Sequence, residues 1–482
     1  MAKKLALGLD LGTSGVDVLA VDEDGLVIAE SHASYPLLTP QPGWTEQRSE
    51  DWWQGVLKAL KTLREKLPEA EIIALGLTGQ MHGMVALDAQ GEAVRPALLW
   101  NDQRTGDYIA EIEAAIPRKD LIQRTGNPAI TGFQLAKVLW LRGEEPENFA
   151  RTRHILLPKD FIGYKLTGNM AAEPADASGS NCYNLLKRDW DHDILTTLKL
   201  NPNLYPQVAR SHDVVGRLKP DIAQETGLPS DLPIIAGAGD NAAAGIGLGL
   251  SSANLQRGSV SLGTSGVIFA PLKEPTPDPE GRVHLFAHGD GGFNLLAVTL
   301  SAAGSLQWFH DTLSPDTPFE LLNQEASQSP VGSRGLCFKP YLAGERTPHM
   351  NPHLRGSWHG LSLAANRGDI VRSIMEGVAC SLREGLDLIK PLNPLTELLT
   401  TGGGSKSPLW MDIMTNTLAL PLHSPKAELG AAYGAALLAF QGVGLTEEAV
   451  KLAKVDIARR YEPNQGFQAD YENLYKRYQA LI

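Results

Sequence analysis

The hydrophobic pattern opens with an apolar run, Leu5 to Leu9, that ends at Asp10, followed by the small residues Gly12 to Gly15 and a second apolar run, Val16 to Val21. Asp22 to Gly25 is another turn signal, and a third strand follows it. The spacing predicts an antiparallel meander. The period then lengthens: Trp52, Val56, Leu57, Leu60 and Leu63 recur at helical intervals behind Ser49, which offers an N-cap, with Glu50 and Asp51 in the first turn. A helix packed on the meander is expected, with one of Trp52 and Trp53 in the core and the other half-exposed. Ile72 to Leu77 reads as the next strand and runs into Thr78-Gly79-Gln80-Met81-His82-Gly83. A later strand, Pro233 to Ala236, leads through Gly237-Ala-Gly239 to Asp240-Asn241 and a run of small helix formers. Leu398-Leu399 leads to Gly402-Gly403-Gly404, and Pro408 starts a helix through Trp410, Ile413 and Met414. Strands alternating with helices place the chain in the α/β class.

The heptapeptide Asp10-Leu-Gly-Thr-Ser-Gly-Val16 returns as Ser261-Leu-Gly-Thr-Ser-Gly-Val267, again in the turn of a predicted hairpin. Such a repeat predicts two duplicated halves facing each other across a cleft, residues 1–250 and 251–482, with a hinge near 249–255. At 482 residues the chain has length enough for two domains.

Composition narrows the function classes. A net charge of −12, with basic residues scattered rather than striped, argues against nucleic acid as a partner. The first apolar run is too short and too acidic for a secretion signal, and Leu295 to Phe309 is broken by polar residues before it could span a bilayer. No membrane partner is expected. Cys182, Cys337 and Cys380 are odd in number and widely spaced, which suits a reducing cytoplasm. His284 with His288, and His349, His353 and His359, lack a zinc-binding pattern and are expected at the surface or in loops.

Two loops of Gly, Thr and Ser at hairpin turns can aim backbone N–H groups and hydroxyls at one polyphosphate, although each alone could be no more than a tight turn. These are Gly12, Thr13 and Ser14, and Gly263, Thr264 and Ser265. Neither carries the Gly-Lys-Ser/Thr of a Walker loop. Asp10, at a strand end beside the first loop, could hold magnesium next to the phosphates or could serve only the turn. Asp240 could cap its helix or accept a hydroxyl proton during phosphoryl transfer. His82 and the Asn101-Asp102 pair could bind a polyol, with a core histidine as the alternative for His82. Gly402 to Gly404 could admit a flat adenine to the backbone or be only a loop.

The strings Gly8 to Gly15, Gly79 to Gly83, Arg95 to Asp102, Leu157 to Asp160, Gly239 to Ala243, Ser261 to Gly266, Tyr341 to Pro348 and Gly402 to Ser405 resemble, in order and spacing, the FGGY carbohydrate kinases of the actin-like ATPase superfamily. The resemblance covers nearly the whole chain. It implies two actin-like (ribonuclease H-like) domains around a central cleft, with ATP and Mg2+ as cofactors and a small sugar as substrate, and it leaves a homodimer open. Within the family it runs to members acting on ketopentoses, which implies transfer to the 5-hydroxyl of D-xylulose or of a related ketose or polyol. It further implies Asp240 as catalytic base and Asp10 as the magnesium-side carboxylate. Met81, His82, Asn101, Asp102 and Asn241 fall at the sugar, and Gly403 and Gly404 at the nucleotide. An actin- or chaperone-like ATPase switch is the rival from another class.

Two positions depart from the family pattern. Asp17 stands where relatives commonly carry Lys or Arg, and Gln134 where they have a small or hydroxyl residue. A carboxylate within about 4 Å of a phosphate would oppose binding by several kcal/mol at an effective dielectric near 20, so Asp17 either faces the cleft and weakens phosphate handling or decorates a solvated side. A sugar-binding protein with little kinase activity is the reading Asp17 adds. The sequence assigns no role to Glu345 or Arg346.

Overall fold

The computed structural model describes residues 3–427 and 430–481. The opening meander forms as Lys4–Leu11, Gly15–Asp22 and Val27–Ser34. Glu71–Gly79 adds in parallel to Lys4–Leu11, Pro233–Gly239 adds in parallel to Glu71–Gly79, and Val214–Arg217 closes that edge antiparallel. A second sheet repeats this plan: Arg257–Leu262 and Gly266–Leu272 form its hairpin, and Phe293–Thr299 extends the meander. Glu397–Thr401 and Leu422–Pro425 add in parallel, and Ile457–Tyr461 closes antiparallel. Among the described residues the second sheet also carries His284–Ala287 on the meander edge. The duplication expected from the heptapeptide is thus a duplication of strand order.

Alternation along Lys4–Leu11 divides the first sheet's faces. Leu5, Leu7, Leu9 and Leu11 pack with Trp52, Val56, Leu60 and Leu63 of helix Ser49–Lys66. Ala6, Gly8 and Asp10 point the other way, toward helix Ala431–Gly442, which returns from the far end of the sequence. That helix lies so close that a Cβ on Gly8 would sit 1.7 Å from the Ala432 carbonyl oxygen, and one on Gly76 would sit 2.0 Å from that of Ala435. Only glycine admits this contact.

Three expectations change. Ser49 is the first helical residue and Arg48 the cap position, without a side-chain cap. Trp53 is buried along with Trp52, because its ring lies under Lys165 and joins the core beneath the first sheet. His284 and His288 are buried as well, bonded through Nδ1 to Asn127 Oδ1 and through Nε2 to the Leu250 carbonyl. Among the described residues no helix is long and apolar enough to cross a membrane, and no cluster of His, Cys, Asp and Glu could by itself hold a metal ion.

Candidate active site

The first loop is held from behind. Gly12 N donates to Gly15 O at 2.9 Å, and the Tyr35 hydroxyl donates to the carbonyls of Gly12 and Gly15. Gln47 Nε2 donates to Thr13 O at 2.7 Å. The Thr13 hydroxyl donates to Gln80 Oε1 at 3.2 Å and accepts from Trp100 Nε1 at 3.0 Å, while Ser14 is exposed at the tip. The second loop rests on the start of helix Ala303–Leu313: Ala303 N donates to Gly263 O and Ala302 N to Thr264 O, both at 2.8 Å. Gly402 backs this loop at φ 83°, where a Cβ would lie 2.7 Å from the Leu262 carbonyl. Gly403 faces open space and Gly404 packs beneath it on Leu262.

Asp10 and Asp17 are direct partners across the first hairpin, so their side chains share a face. They line a cavity of about 460 Å³ with His32, Lys66 and Gly430. Asp10 Oδ1 is buried without a hydrogen-bond partner. Burial first, then the charges of Asp240 and Asp17, push its carboxyl up to about 7. Asp240 begins helix Asp240–Gly247, with Gly239 at the cap position. Its Oδ1 accepts from Asn241 N at 2.6 Å and Asn241 Nδ2 at 2.9 Å. Burial raises Asp240 to about 6 against those two bonds. A second cavity, of about 240 Å³, runs from Asn241, Ala244 and Gly245 to Ser259, Ser261, Thr401 and Gly402 and also touches Gly430.

Beyond Asp240 the cleft changes character. Met81 packs on Gly239, where a Cβ would come within 2.8 Å of its Cγ. His82 takes a left-handed φ of 66° and stacks on Phe133 at 4.3 Å and 12°. Its Nδ1 bonds to Gly179 O at 2.7 Å, and burial holds the ring well below the usual imidazole range, with Lys137, Arg346 and His284 adding to the effect. The ring is therefore neutral with Nδ1–H donated, which leaves Nε2 as an acceptor. Beneath it, the buried Lys137 donates to the carbonyls of His82, at 2.8 Å, and Gly132.

The Asn101-Asp102 pair divides. Asn101 Oδ1 accepts from the Thr45 hydroxyl at 2.7 Å, and its amide nitrogen makes no bond to the described residues. Asp102 is fully buried, and its oxygens take Thr45 N at 2.7 Å, Arg104 N at 3.0 Å and Arg104 Nη2 at 2.8 Å. It turns no free oxygen toward the cleft; it fixes the strand end that carries Asn101. Gln134 is buried too, with Nε2 on the carbonyls of Gly83 and Leu156 at 2.9 and 3.1 Å. Its side chain thus supports the loop that carries His82. Asp17 bonds His32 Nδ1 at 2.8 Å and remains more than half exposed.

Lys137 and Phe133 were not singled out by sequence reasoning, and Arg346 was named there without a role. A charged residue inside the otherwise apolar Leu135 to Leu141 was the available signal for Lys137. Phe133 and Arg346 carry no periodicity, and only the folded chain brings them beside His82.

Residues 5–247 match the FGGY family of carbohydrate kinases, N-terminal domain, and 258–442 match its C-terminal domain. The xylulose kinase of Bacillus subtilis is 36% identical over 484 residues, covering 99% of this chain and 96% of that protein. The crystal structure of a xyloylose kinase from Brucella ovis, 34% identical, superposes with a TM-score of 0.93 over 99% of this chain and 98% of that one. A gluconate kinase from Lactobacillus acidophilus, 25% identical, superposes at 0.95 over 100% of this chain and 98% of the other. Matched through both halves, the chain belongs to the FGGY family of carbohydrate kinases.

Proposed function

We propose that the protein transfers the γ-phosphoryl group of ATP to the 5-hydroxyl of D-xylulose. The observation that carries this reading is Asp240: a carboxylate at a helix start, bonded among the described residues only to Asn241 and to no cation. Held near 6, it is ionised at neutral pH yet basic enough to accept a hydroxyl proton as the sugar oxygen attacks phosphorus. The choice of D-xylulose rests on relatives at 32–36% identity over nearly the full chain that are xylulose kinases.

Gly12, Thr13 and Ser14 from one side and Gly263, Thr264 and Ser265 from the other bind the phosphates in this reading; the Gly12 N–H and Thr13 hydroxyl, bonded to Gly15 O and Gln80, hold the first turn in shape, and the exposed Ser14 is its donor. Gly403 and Gly404 take the adenine side, since Gly403 has nothing within 4 Å of where a Cβ would stand. Asp10 fits a Mg2+ ion that keeps most of its ligands as phosphate oxygen and water. Its Oδ1 is an orphaned buried acceptor, and the described residues offer no closed protein cage. Magnesium bound there would neutralise charge on the transferring group. Met81, His82, Asn101 and Asn241 bind the sugar: His82 Nε2 accepts from a hydroxyl, while Asn101 and Asn241 donate. Asp102 belongs to this group through its hold on the Asn101 strand end.

We divide the chain at 249–255 and take the halves to close on the ligands there, excluding the water that would otherwise be phosphorylated. Buried, unpaired cysteines suit a cytoplasmic setting. A coupled ADP-release assay over pentuloses, hexuloses, polyols and no sugar tests the reading. The expected outcome is release that depends on sugar and is fastest with D-xylulose. An equal rate without sugar would replace the kinase by an ATPase switch.

A further inference from the structure

At the end of the cleft away from Asp240, one cation stands without an acceptor. Arg346 lies in the second half, on the loop after Cys337–Lys339. Its guanidinium donates to no acceptor and joins no ion pair among the described residues; its one hydrogen bond to a side chain is from the backbone N to Glu345 Oε1. The loop is rigidly built. Glu345 is buried and accepts from Leu300 N at 2.9 Å, from Arg346 N at 2.7 Å and from the Thr299 hydroxyl. The side chain it presents reaches across to the first half, where a Cβ on Gly132 would come within 3.4 Å of Arg346 Nη2. Gly132 adjoins Phe133, on which His82 stacks.

The electrostatics place the guanidinium at the same end. Its charge helps to hold His82, Lys137 and His284 below their usual ranges, each dominated by burial, whereas the shift of Asp240 owes to burial and Asn241 alone. Nearby cations are already engaged: Lys137 on two carbonyls, Arg104 on Asp102 and Glu46. A half-buried guanidinium has five donors and no acceptor, so leaving it unmatched inside a closed cleft costs free energy until a ligand oxygen meets it.

We infer that Arg346 is a sugar-binding residue supplied by the second half, donating to the oxygens at the end of the sugar opposite the hydroxyl that is phosphorylated. The inference rests on the kinase reading above. In it the sugar lies with its reacting hydroxyl at Asp240, its middle against Met81 and His82, and its carbonyl end, an acceptor without a proton of its own, at Arg346. A carboxylate at that end would be matched better still, by a charge-assisted pair. The class of ligand selected is therefore a short sugar rich in acceptors at one terminus: a ketose as substrate, an aldonate of equal length as inhibitor.

The test uses the full-length enzyme with ATP, Arg346→Gln and Arg346→Lys, and D-xylonate as probe. Wild type is expected to show competition between D-xylonate and D-xylulose. Arg346→Gln should raise the KM for D-xylulose about tenfold or more, with KM for ATP within twofold. Its inhibition constant for D-xylonate should rise more than its sugar KM, and Arg346→Lys should recover part of both. A KM for sugar that stays put, an equal rise in both KM values, or xylonate inhibition that survives the Gln change would each overturn the assignment. Thermal melts within a few degrees of wild type show that the variants are folded; should Gln fail that criterion, the same constants from the Lys variant decide. Failure of the wild type to phosphorylate any ketose would sink the kinase reading instead, and is visible before any variant is made.

Discussion

Two heptapeptides that differ only at their first residue, Asp10 against Ser261, fold into two different sites. In the first copy Leu11 pairs with Val16 and Asp10 with Asp17, leaving Gly12 to Gly15 as the turn. In the second Leu262 pairs with Gly266 and Ser261 with Val267, leaving only Gly263 to Ser265. One residue of register separates them, and the sequence differs as well: a carboxylate faces Asp10, whereas Val267 faces Ser261 and the residue equivalent to Asp17 is Ile268. The first turn is held by Tyr35 and Gln47, the second by the helix start at Ala303. Asp10 and Asp17 line the first cavity, with Asp240 also from the first half and near enough to raise Asp10, whereas the second half lines the other cavity with Ser259, Ser261, Thr401 and Gly402. The crossing helices differ likewise. Ala431–Gly442 is pressed onto the first sheet through Gly8 and Gly76, while Asp240–Gly247 meets the second sheet through the Phe269 ring at Gly245, with a cavity beside that contact. Duplication supplied the frame, and the residues just before and behind each loop make the halves unlike; in the proposed reading, metal and proton chemistry would fall to one side and an uncharged nucleotide wall to the other.

The largest effect is expected where the comparison is most lopsided. Asp240→Asn keeps the helix start and the contact with Asn241 but removes the base, and should lower turnover on the order of 10²–10⁴-fold with sugar binding retained. Steady-state kinetics with calorimetric sugar binding checks this. Unchanged turnover would reduce Asp240 to a helix-start residue. The pH profile carries a matching sign. Activity should rise through about 6, where Asp240 ionises. Stability of the ligand-free protein should move the other way. Asp240 and Asp10 are raised to about 6 and about 7, so the folded chain holds these protons more tightly than the unfolded one. Their contribution is complete below the ordinary carboxylate value of 3.8 and is lost as pH rises through 6 and 7. Melting temperatures across that window should fall in wild type and flatten in Asp240→Asn and Asp10→Asn.

The next test makes the halves alike. Asp10→Ser gives the first hairpin the residue of the second and should cost about tenfold to a hundredfold in turnover, with a higher Mg2+ requirement. Ser261→Asp makes the reverse change and should raise KM for ATP about tenfold, since a new carboxylate would line the nucleotide cavity. A Mg2+ titration of both variants separates the outcomes. If Asp10→Ser left the Mg2+ dependence untouched, the division of labour between the hairpins would be wrong.

How far the sequence foretells this site follows from the kind of interaction involved. The strands and helices were legible because alternation and helical period are local, and the duplication because a repeat can be read directly. Asp10, Asp240 and His82 lie at strand ends, where a polar residue after an apolar run stands out; Met81 came only through the family resemblance. The register shift was not legible: identical residues fill both turns, and the difference lies in Tyr35, Gln47 and Ala303, distant in sequence. Nor was the burial of Asp102, whose partners Thr45 and Arg104 make it a structural anion rather than an exposed ligand. Arg346 and Gly132, far apart in sequence, meet only in the folded chain.

The smallest effect concerns Asp17, the one cleft acid whose counterpart across the second hairpin is apolar. It shares the face of Asp10 and helps to raise it, so it belongs to the cleft side of the strand. Yet its side chain is 56% exposed and bonds His32, itself 53% exposed, at 2.8 Å. Water and salt screen a charge so placed, which lowers the several kcal/mol of an unscreened contact to about 1 kcal/mol or less. Asp17→Lys, which restores the cation common in the family, should therefore lower KM for ATP only about two- to fivefold, and the gain should shrink as ionic strength rises past about 0.15 M. Asp10 should titrate lower in the variant, because one of the charges raising it is gone. A matched Asp17→Val, which copies Val267, separates the two causes: relief of repulsion alone should give part of the gain, and the added cation the rest. A loss of activity in both variants would mean instead that the Asp17–His32 pair does positive work there, with Asp17 holding the His32 ring in place.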